Sequence, residues 1–361
     1  RKIMTKIFPP KAKPVPAAVE KAEAPAIPAD TALAAPDAEV QSAETTAPPV
    51  ETDVAAAAEE AIPEVQTVLG NDRVELTCSS RGAGIVRAAI LGYPSAKGSD
   101  IPVSFDFSDR PAAAPIGYPG LGSRASFEVA STAPGSVAYR KQLPNGLVLD
   151  RTLTLGAGYQ VQIEDKIENA SSAPVALRAY GLQAGFMENL PGEEAKQQVP
   201  LLGVDTLTGS EAVQYWGAKF DKWFPLDGAG KPQAVPGPDA EPIHADWVAV
   251  KNKYFTQILT PENGADRCLV EAGRGAPVKS SFMGIFPRTT VPIGRVAAAL
   301  LLPDFDLAPG QALVQNATFY VGPKVYTELK ANGPHQEDIL QLGFWRVVGI
   351  WILKVMVWIQ A

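Results

Sequence analysis

Histidine and cysteine are almost absent from this 361-residue chain, which holds only His244, His335, Cys78 and Cys268. So few donors, scattered over the sequence, form no local zinc-ligand spacing, and a Ser-His-Asp site would have just two imidazoles to draw on. Each cysteine sits inside a strand-like apolar run, where a free thiol packs as a small hydrophobe; a disulfide between the two is the alternative. No Gly-x-Ser-x-Gly elbow occurs. Gly82-Ala83-Gly84 follows a strand pattern, but neither a third glycine nor Gly-Lys-Ser/Thr nor a helix comes after it, so it reads as a turn and not as a phosphate loop. Before residue 340 nothing approaches the roughly 20 apolar residues of a membrane span, which taken alone points to a soluble chain. A basic excess is missing too: the formal net charge of −7 is spread along the chain without a basic face, which removes electrostatic support for a nucleic-acid partner.

What the chain does have is 46% apolar residues, enough to fill a sizeable core, interrupted by 33 prolines and 31 glycines that rule against a helical bundle. Residues 1–66 consist mainly of Ala, Pro, Glu, Thr and Val with Phe8 as their one aromatic, a composition that cannot bury enough surface to offset chain entropy. They are expected to form a disordered or extended tether. From Val68 onward short β-branched runs alternate with turns. Val74, Leu76 and Cys78 alternate with polar neighbours, and residues 85–91 resume the pattern after the Gly turn, which predicts a hairpin. Tyr159, Val161, Ile163 and Ile167 occupy odd positions while Gln160, Gln162, Glu164, Lys166 and Glu168 occupy even ones, the period-two pattern of a strand with one wet face. Strand patterns recur at 175–182, 247–259, 267–271, 280–286, 295–302 and 312–320, with no amphipathic helix between them. The expected fold is all-β: a large two-sheet antiparallel β-sandwich over 67–333, with sheets packed face to face. Residues 225–242, rich in Pro and Gly, are expected to be an exposed loop.

Two places invite a functional reading. Tyr215, Trp216, Phe220, Trp223 and Phe224 crowd together beside that loop; they either cover an end of the sandwich or, with Tyr215, Trp216, Trp223 and Phe224 as its walls, line a groove for an extended or apolar partner. After a short helix near 325–330 stopped by Asn332-Gly333-Pro334, residues 344–359 are apolar nearly all round but carry Arg346 and Lys354. As a helix this stretch would be about 24 Å long, short for a span, with the two cations roughly 80° apart on its wheel. Trp345, Trp351 and Trp358 with the snorkelling Arg346 and Lys354 suit a helix lying in a membrane interface, over 334–361; a helix buried in a larger core is the other reading. Asp165, on the apolar face of its strand, marks either a bulge or an ion pair.

The stretch 246–261 (DWVAVKNKYFTQILTP), taken with 320–326 (YVGPKVY), the Trp-rich 344–359, 72–84 (DRVELTCSSRGAG), Tyr93-Pro94, the strand pair 151–174 with Asn169 at its turn, and Leu307-Ala308-Pro309-Gly310, resembles the large periplasmic domain of the YidC membrane protein insertase family. The resemblance spans about residues 67–361 and rests on the order and spacing of these pieces. It implies a supersandwich, galactose-mutarotase-like in form, facing the periplasm of a bacterial inner membrane, with a transmembrane helix just upstream and the insertase core beyond Ala361. The implied work is insertion, folding and assembly of inner-membrane proteins, alone or with the Sec translocon and its accessory subunits. Inner-membrane lipid and nascent membrane proteins are the other implied partners; cofactor, metal and catalytic residues are expected to be none. The basic cluster Arg1, Lys2, Lys6, Lys11 and Lys13 would then sit against lipid head groups. The rival is a carbohydrate-binding or mutarotase-like sandwich, whose His acid and Glu base would have to come from His244 or His335 and from Asp165, Glu188, Glu193 or Glu194; His244 lies in a Pro-flanked loop and His335 follows the last strand, which makes acid-base work by them poor. If 1–66 is a tether, amide hydrogens across 14–60 exchange without protection, and slow exchange there overturns that expectation.

Overall fold

The computed structural model describes residues 63–190, 201–209, 212–225, 231–237, 241–282 and 286–341. The hairpin predicted around the Gly turn is there: β1 (Gln66–Gly70), β2 (Val74–Ser79), β3 (Gly84–Pro94) and β4 (Pro102–Asp106) pair in chain order. At the turn Gly82 adopts φ +77°, and a Cβ there would lie 2.5 Å from the Ser123 carbonyl oxygen, so both the backbone and the neighbouring chain require glycine. There follow β5 (Pro115–Ile116), β6 (Glu128–Ala133), β7 (Ser136–Gln142), β8 (Leu147–Leu155), β9 (Gln160–Asn169), β10 (Val175–Leu177), β11 (Gly181–Glu188), β12 (Gly203–Leu207), β13 (Val213–Tyr215), the single turn α1 (Phe220–Trp223) and β14 (Gln233–Ala234). The chain continues through β15 (Trp247–Lys251), β16 (Phe255–Pro261), β17 (Arg267–Arg274), β18 (Val278–Phe282), β19 (Phe286–Thr290), β20 (Ile293–Leu301), β21 (Phe305–Leu307), β22 (Ala312–Pro323), α2 (Tyr326–Asn332) and a 3-10 helix, Gln336–Leu340.

A nine-stranded sheet, in the order β13-β12-β15-β16-β22-β9-β8-β7-β6, forms one layer. The sheet of β1 to β4 and a five-stranded sheet, β14-β17-β20-β11-β5, form the facing layer. Every ladder is antiparallel, as expected for a sandwich. Because paired residues share a face, register sorts the large sheet. Leu153, Ile163 and Ala317 lie across one another on its inner face, as do Leu149, Ile167 and Leu313. The inner face is closed by Gln257 Nε2, which donates to the Phe186 carbonyl at 2.6 Å, and by the edge-to-face pair Phe105 and Phe255 at 5.4 Å. Cys78 and Cys268 are both buried and unpaired.

One row of the inner face is polar. Register sets Tyr139 beside Arg151, Arg151 beside Asp165 and Asp165 beside Gln315. Arg151 and Asp165 are wholly buried, with Arg151 Nη1 donating to both carboxylate oxygens at 3.0 and 2.9 Å. Arg151 Nη2 donates to the Ala113 carbonyl, and the Tyr180 hydroxyl donates to Asp165 at 2.7 Å. Burial pushes the Asp165 carboxyl above its usual range, and the Arg151 charge and the Tyr180 hydroxyl pull against that. Of the two sequence readings of Asp165, the ion pair is the one formed: its ladders to β8 and β22 run past it without a bulge.

Elsewhere the chain departs from expectation. The stretch 247–259, read as one strand, is a hairpin, because Asn252 Oδ1 accepts from the amides of Tyr254 and Phe255 and turns the chain without Gly or Pro. Residues 175–182 likewise divide between β10 and β11 at Ala179, whose φ is +55°. The expected exposed loop 225–242 contributes an edge strand instead: β14 pairs with β17, and Val235 beside it is fully buried. The 344–359 segment, with Trp345, Arg346, Trp351, Lys354 and Trp358, lies outside the described residues, as does 1–62 of the tether. Among the described residues no helix is long and apolar enough to cross a membrane. Removing one member of the buried pair leaves an unmatched charge, so Arg151→Ala should lower stability by about 3–5 kcal/mol in urea unfolding, while Arg151→Met with Asp165→Leu recovers most of the loss. An unchanged midpoint for the single variant would show that the pair contributes nothing.

Candidate functional site

The outer face of the large sheet is covered where β22 hands the chain to α2. Pro323 ends that strand, since it offers no amide to continue a ladder, and Tyr320 fixes the bend by donating its hydroxyl to the Pro323 carbonyl at 2.7 Å. Helix α2 and the 3-10 helix then lie on β9, β15 and β16. Trp247 Nε1 donates to the Pro334 carbonyl at 3.0 Å, and the fully buried Gln336 donates to Thr260 Oγ1 at 3.1 Å. Gln160 of β9 donates to Asn332 at the end of α2. Leu329 and Ile339 are completely buried beneath these bonds. All five residues of β12 and of β15 are buried, as befits strands covered on both faces.

Two charges sit in the middle of this contact. Register puts Asp205 and Lys251 on the same outer face, and Lys251 Nζ lies 2.6 Å from Asp205 Oδ2 with both side chains buried. The same ammonium donates to the Ile339 carbonyl at 2.8 Å and stands 5.0 Å over the ring of Tyr215. Lys251 therefore clamps the 3-10 helix to the sheet. Burial pulls the Lys251 ammonium below its usual range, opposed by Asp205, and pushes the Asp205 carboxyl up, opposed by Lys251. Beside them Lys324, half-buried, is brought down to about 7, first by desolvation and then by the Lys251 charge.

The four residues expected to wall a groove are now placed. Trp216 and Phe224 are buried, and Tyr215 and Trp223 are partly exposed. Trp216 stacks on Trp223 with ring centroids 5.9 Å apart, and Phe220 meets Trp223 and Phe224 at 6.3 and 5.8 Å, so the rings fill one another's surfaces at the edge of the sheet. Only Tyr215 reaches the Lys251 cluster. Tyr254 and Phe255 point to opposite sides, Tyr254 outward and Phe255 into the core. His244 pairs with Asp246 at 3.2 Å and His335 with Asp338 at 3.3 Å, each beside an aspartate and not a glutamate. Among the described residues no group of three His, Cys, Asp or Glu could hold a metal. Sequence reasoning missed Lys251 and Asp205. Their one signal was a charge inside an otherwise apolar strand run, the same signal that exposed Asp165.

The Lys324 shift has a testable sign. A lysine lowered in the folded state binds fewer protons there than in the unfolded chain, so stability rises with pH between the folded and unfolded values and is lost as pH falls toward 7. The gain in urea midpoint from pH 7 to pH 9 should be smaller in Lys324→Met than in the wild type; an equal gain would mean that Lys324 is solvated.

The family model of the YidC periplasmic domain matches residues 66–359. A relative named membrane protein insertase YidC, from Shewanella amazonensis, is 25% identical over 304 residues, covering 78% of this chain and 50% of the relative. Another of that name, from Bordetella parapertussis, is 25% identical over 311 residues, covering 82% and 50%. The chain thus spans about half the length of the curated relatives it matches. Among solved structures a galactose mutarotase related enzyme from Lactobacillus acidophilus aligns with a TM-score of 0.43 and 11% identity, over 71% of this chain and 97% of that one, a likeness that transfers neither substrate nor mechanism. Since the match begins with the first residue of β1 and runs on past the clamped 3-10 helix, this chain belongs to the YidC periplasmic domain family.

Proposed function

We propose that this chain is the periplasm-facing part of a membrane protein insertase of the inner membrane, and that it works without catalysis, by holding its C-terminal segment in a fixed relation to the sandwich. In this reading the chain before residue 63 is a tether, the sandwich from there to residue 333 is the rigid body, and 344–359 rests in the lipid interface through Trp345, Trp351 and Trp358, with Arg346 and Lys354 reaching phosphates. Nascent membrane proteins and the Sec translocon with its accessory subunits are the partners of the whole insertase in this account. The observation that carries the reading is the buried Lys251 clamp, because it fixes the last described turn of a chain whose family match continues through residue 359. A sandwich with a merely enzymatic role has no need of such an anchor at the foot of an apolar segment.

Burying an apolar side chain is worth roughly 1.5–3 kcal/mol, whereas each cation near an anionic surface adds only about 1 kcal/mol. In flotation with anionic liposomes the full chain should therefore lose most of its binding on Trp351→Glu and only a modest part on Arg346→Ala with Lys354→Ala. Unchanged flotation of Trp351→Glu would place the membrane contact elsewhere.

A further inference from the structure

A polar cleft of about 810 Å³ opens between the end of β2, the segment 108–124 and the five-stranded sheet. On that sheet Glu271 lies opposite Ala297 and Gly273 opposite Arg295, while Val270, Ala272, Val296 and Ala298 turn the other way and are buried, so the cleft is on the sheet's outer face. Four guanidiniums line it, those of Arg81, Arg110, Arg124 and Arg295. Three carboxylates share the walls, and two of them are engaged: Glu271 with Arg110 at 2.6 Å and Glu64 with Arg81 at 3.6 Å. Arg295 lies flat over the Phe186 ring, its guanidinium 3.4 Å from the ring centre, with Glu188 3.9 Å away. Arg124 makes no ion pair among the described residues. On a chain of net charge −7 the lining gathers four arginines against three carboxylates.

We propose that this cleft binds an acidic peptide segment, taking its Asp and Glu carboxylates on the arginine forks. The guanidinium fork matches a carboxylate with two parallel hydrogen bonds, which a lysine cannot do. A lone anion fills a small part of such a volume, whereas four guanidiniums supplied by three separate segments suit several carboxylates carried on one chain. The cleft already holds one peptide carboxylate: Glu64, just before β1, accepts from the Ser79 hydroxyl at 2.8 Å and stands 3.6 Å from Arg81 Nε. Exposed ion pairs of the Arg81 kind are weak and exchange readily, so an incoming carboxylate displaces them at little cost. None of this depends on the membrane reading.

The test uses the full chain and fluorescein-labelled hexaglutamate, followed by fluorescence anisotropy, with hexaglutamine as the neutral counterpart. Saturable binding of hexaglutamate is expected, weakened at least tenfold by Arg81→Ala with Arg124→Ala, weakened less by Arg124→Lys, and unaffected by Arg87→Ala on the exposed side of β3. If the double variant unfolds, Arg124→Ala alone decides, since that side chain holds no ion pair among the described residues. Equal binding of hexaglutamine, equal binding by Arg124→Ala, or a site that takes inorganic phosphate and not hexaglutamate would each overturn the proposal.

Discussion

A charge taken out of water costs several kcal/mol unless a counter-charge and hydrogen bonds replace its hydration. The nine-stranded sheet meets that demand at two wholly buried ion pairs, one on each face. Inside, Arg151 is shared between Asp165 of the neighbouring strand and the Ala113 carbonyl of the facing layer, with Tyr180 completing the carboxylate. Outside, Lys251 is shared between Asp205 and the Ile339 carbonyl of the covering 3-10 helix. In both cases one hydrogen bond of the cation forms only when a separate element arrives in the right place. Apolar side chains tolerate small shifts of one layer over another, but a buried cation with an absent acceptor does not. The two clamps thus set where the layers sit, while the apolar area around them supplies the drive to bring them together.

This division leaves two distinct surfaces on opposite sides of one core. The C-terminal turn is pinned to the outer face of the nine-stranded sheet, and the arginine-lined cleft opens on the outer face of the layer that packs against its inner side. A ligand entering the cleft would touch neither Lys251 nor the elements it holds. In the proposed reading these are two separately addressable faces of one rigid body.

Much of the sandwich was readable from local pattern, and the reason is physical. In β9 the side chains alternate between core and solvent, so the sequence itself alternates, and Asp165 stood out as a charge on the wrong parity. β12 and β15 are buried on both faces and show no alternation, so their register and the pairing of Asp205 with Lys251 left no periodic trace. The hairpin between β15 and β16 was hidden because its turn depends on one asparagine side chain and not on Gly or Pro. The cleft was invisible for a different reason: Arg81, Arg110, Arg124 and Arg295 are far apart in sequence, and each alone looks like an ordinary surface charge. Composition averages over the chain, and an overall negative charge concealed a local gathering of arginines.

Strand β22 carries a consequence for the order in which the chain is assembled. It lies between β16 and β9, and among the described residues no other strand joins the two halves of the large sheet. Until residues 312–323 are available, β13-β12-β15-β16 and β9-β8-β7-β6 are separate sheets, each with an open edge where the other will attach. The chain emerges from its N-terminal end, so this closing strand is nearly the last piece of the sandwich to be made, and α2 follows it immediately. Completion of the sheet and placement of the C-terminal segment are therefore a single late event in biosynthesis. A chain stalled before residue 312 would expose two unpaired sheet edges, the form in which such a domain is most open to pairing with a stranger.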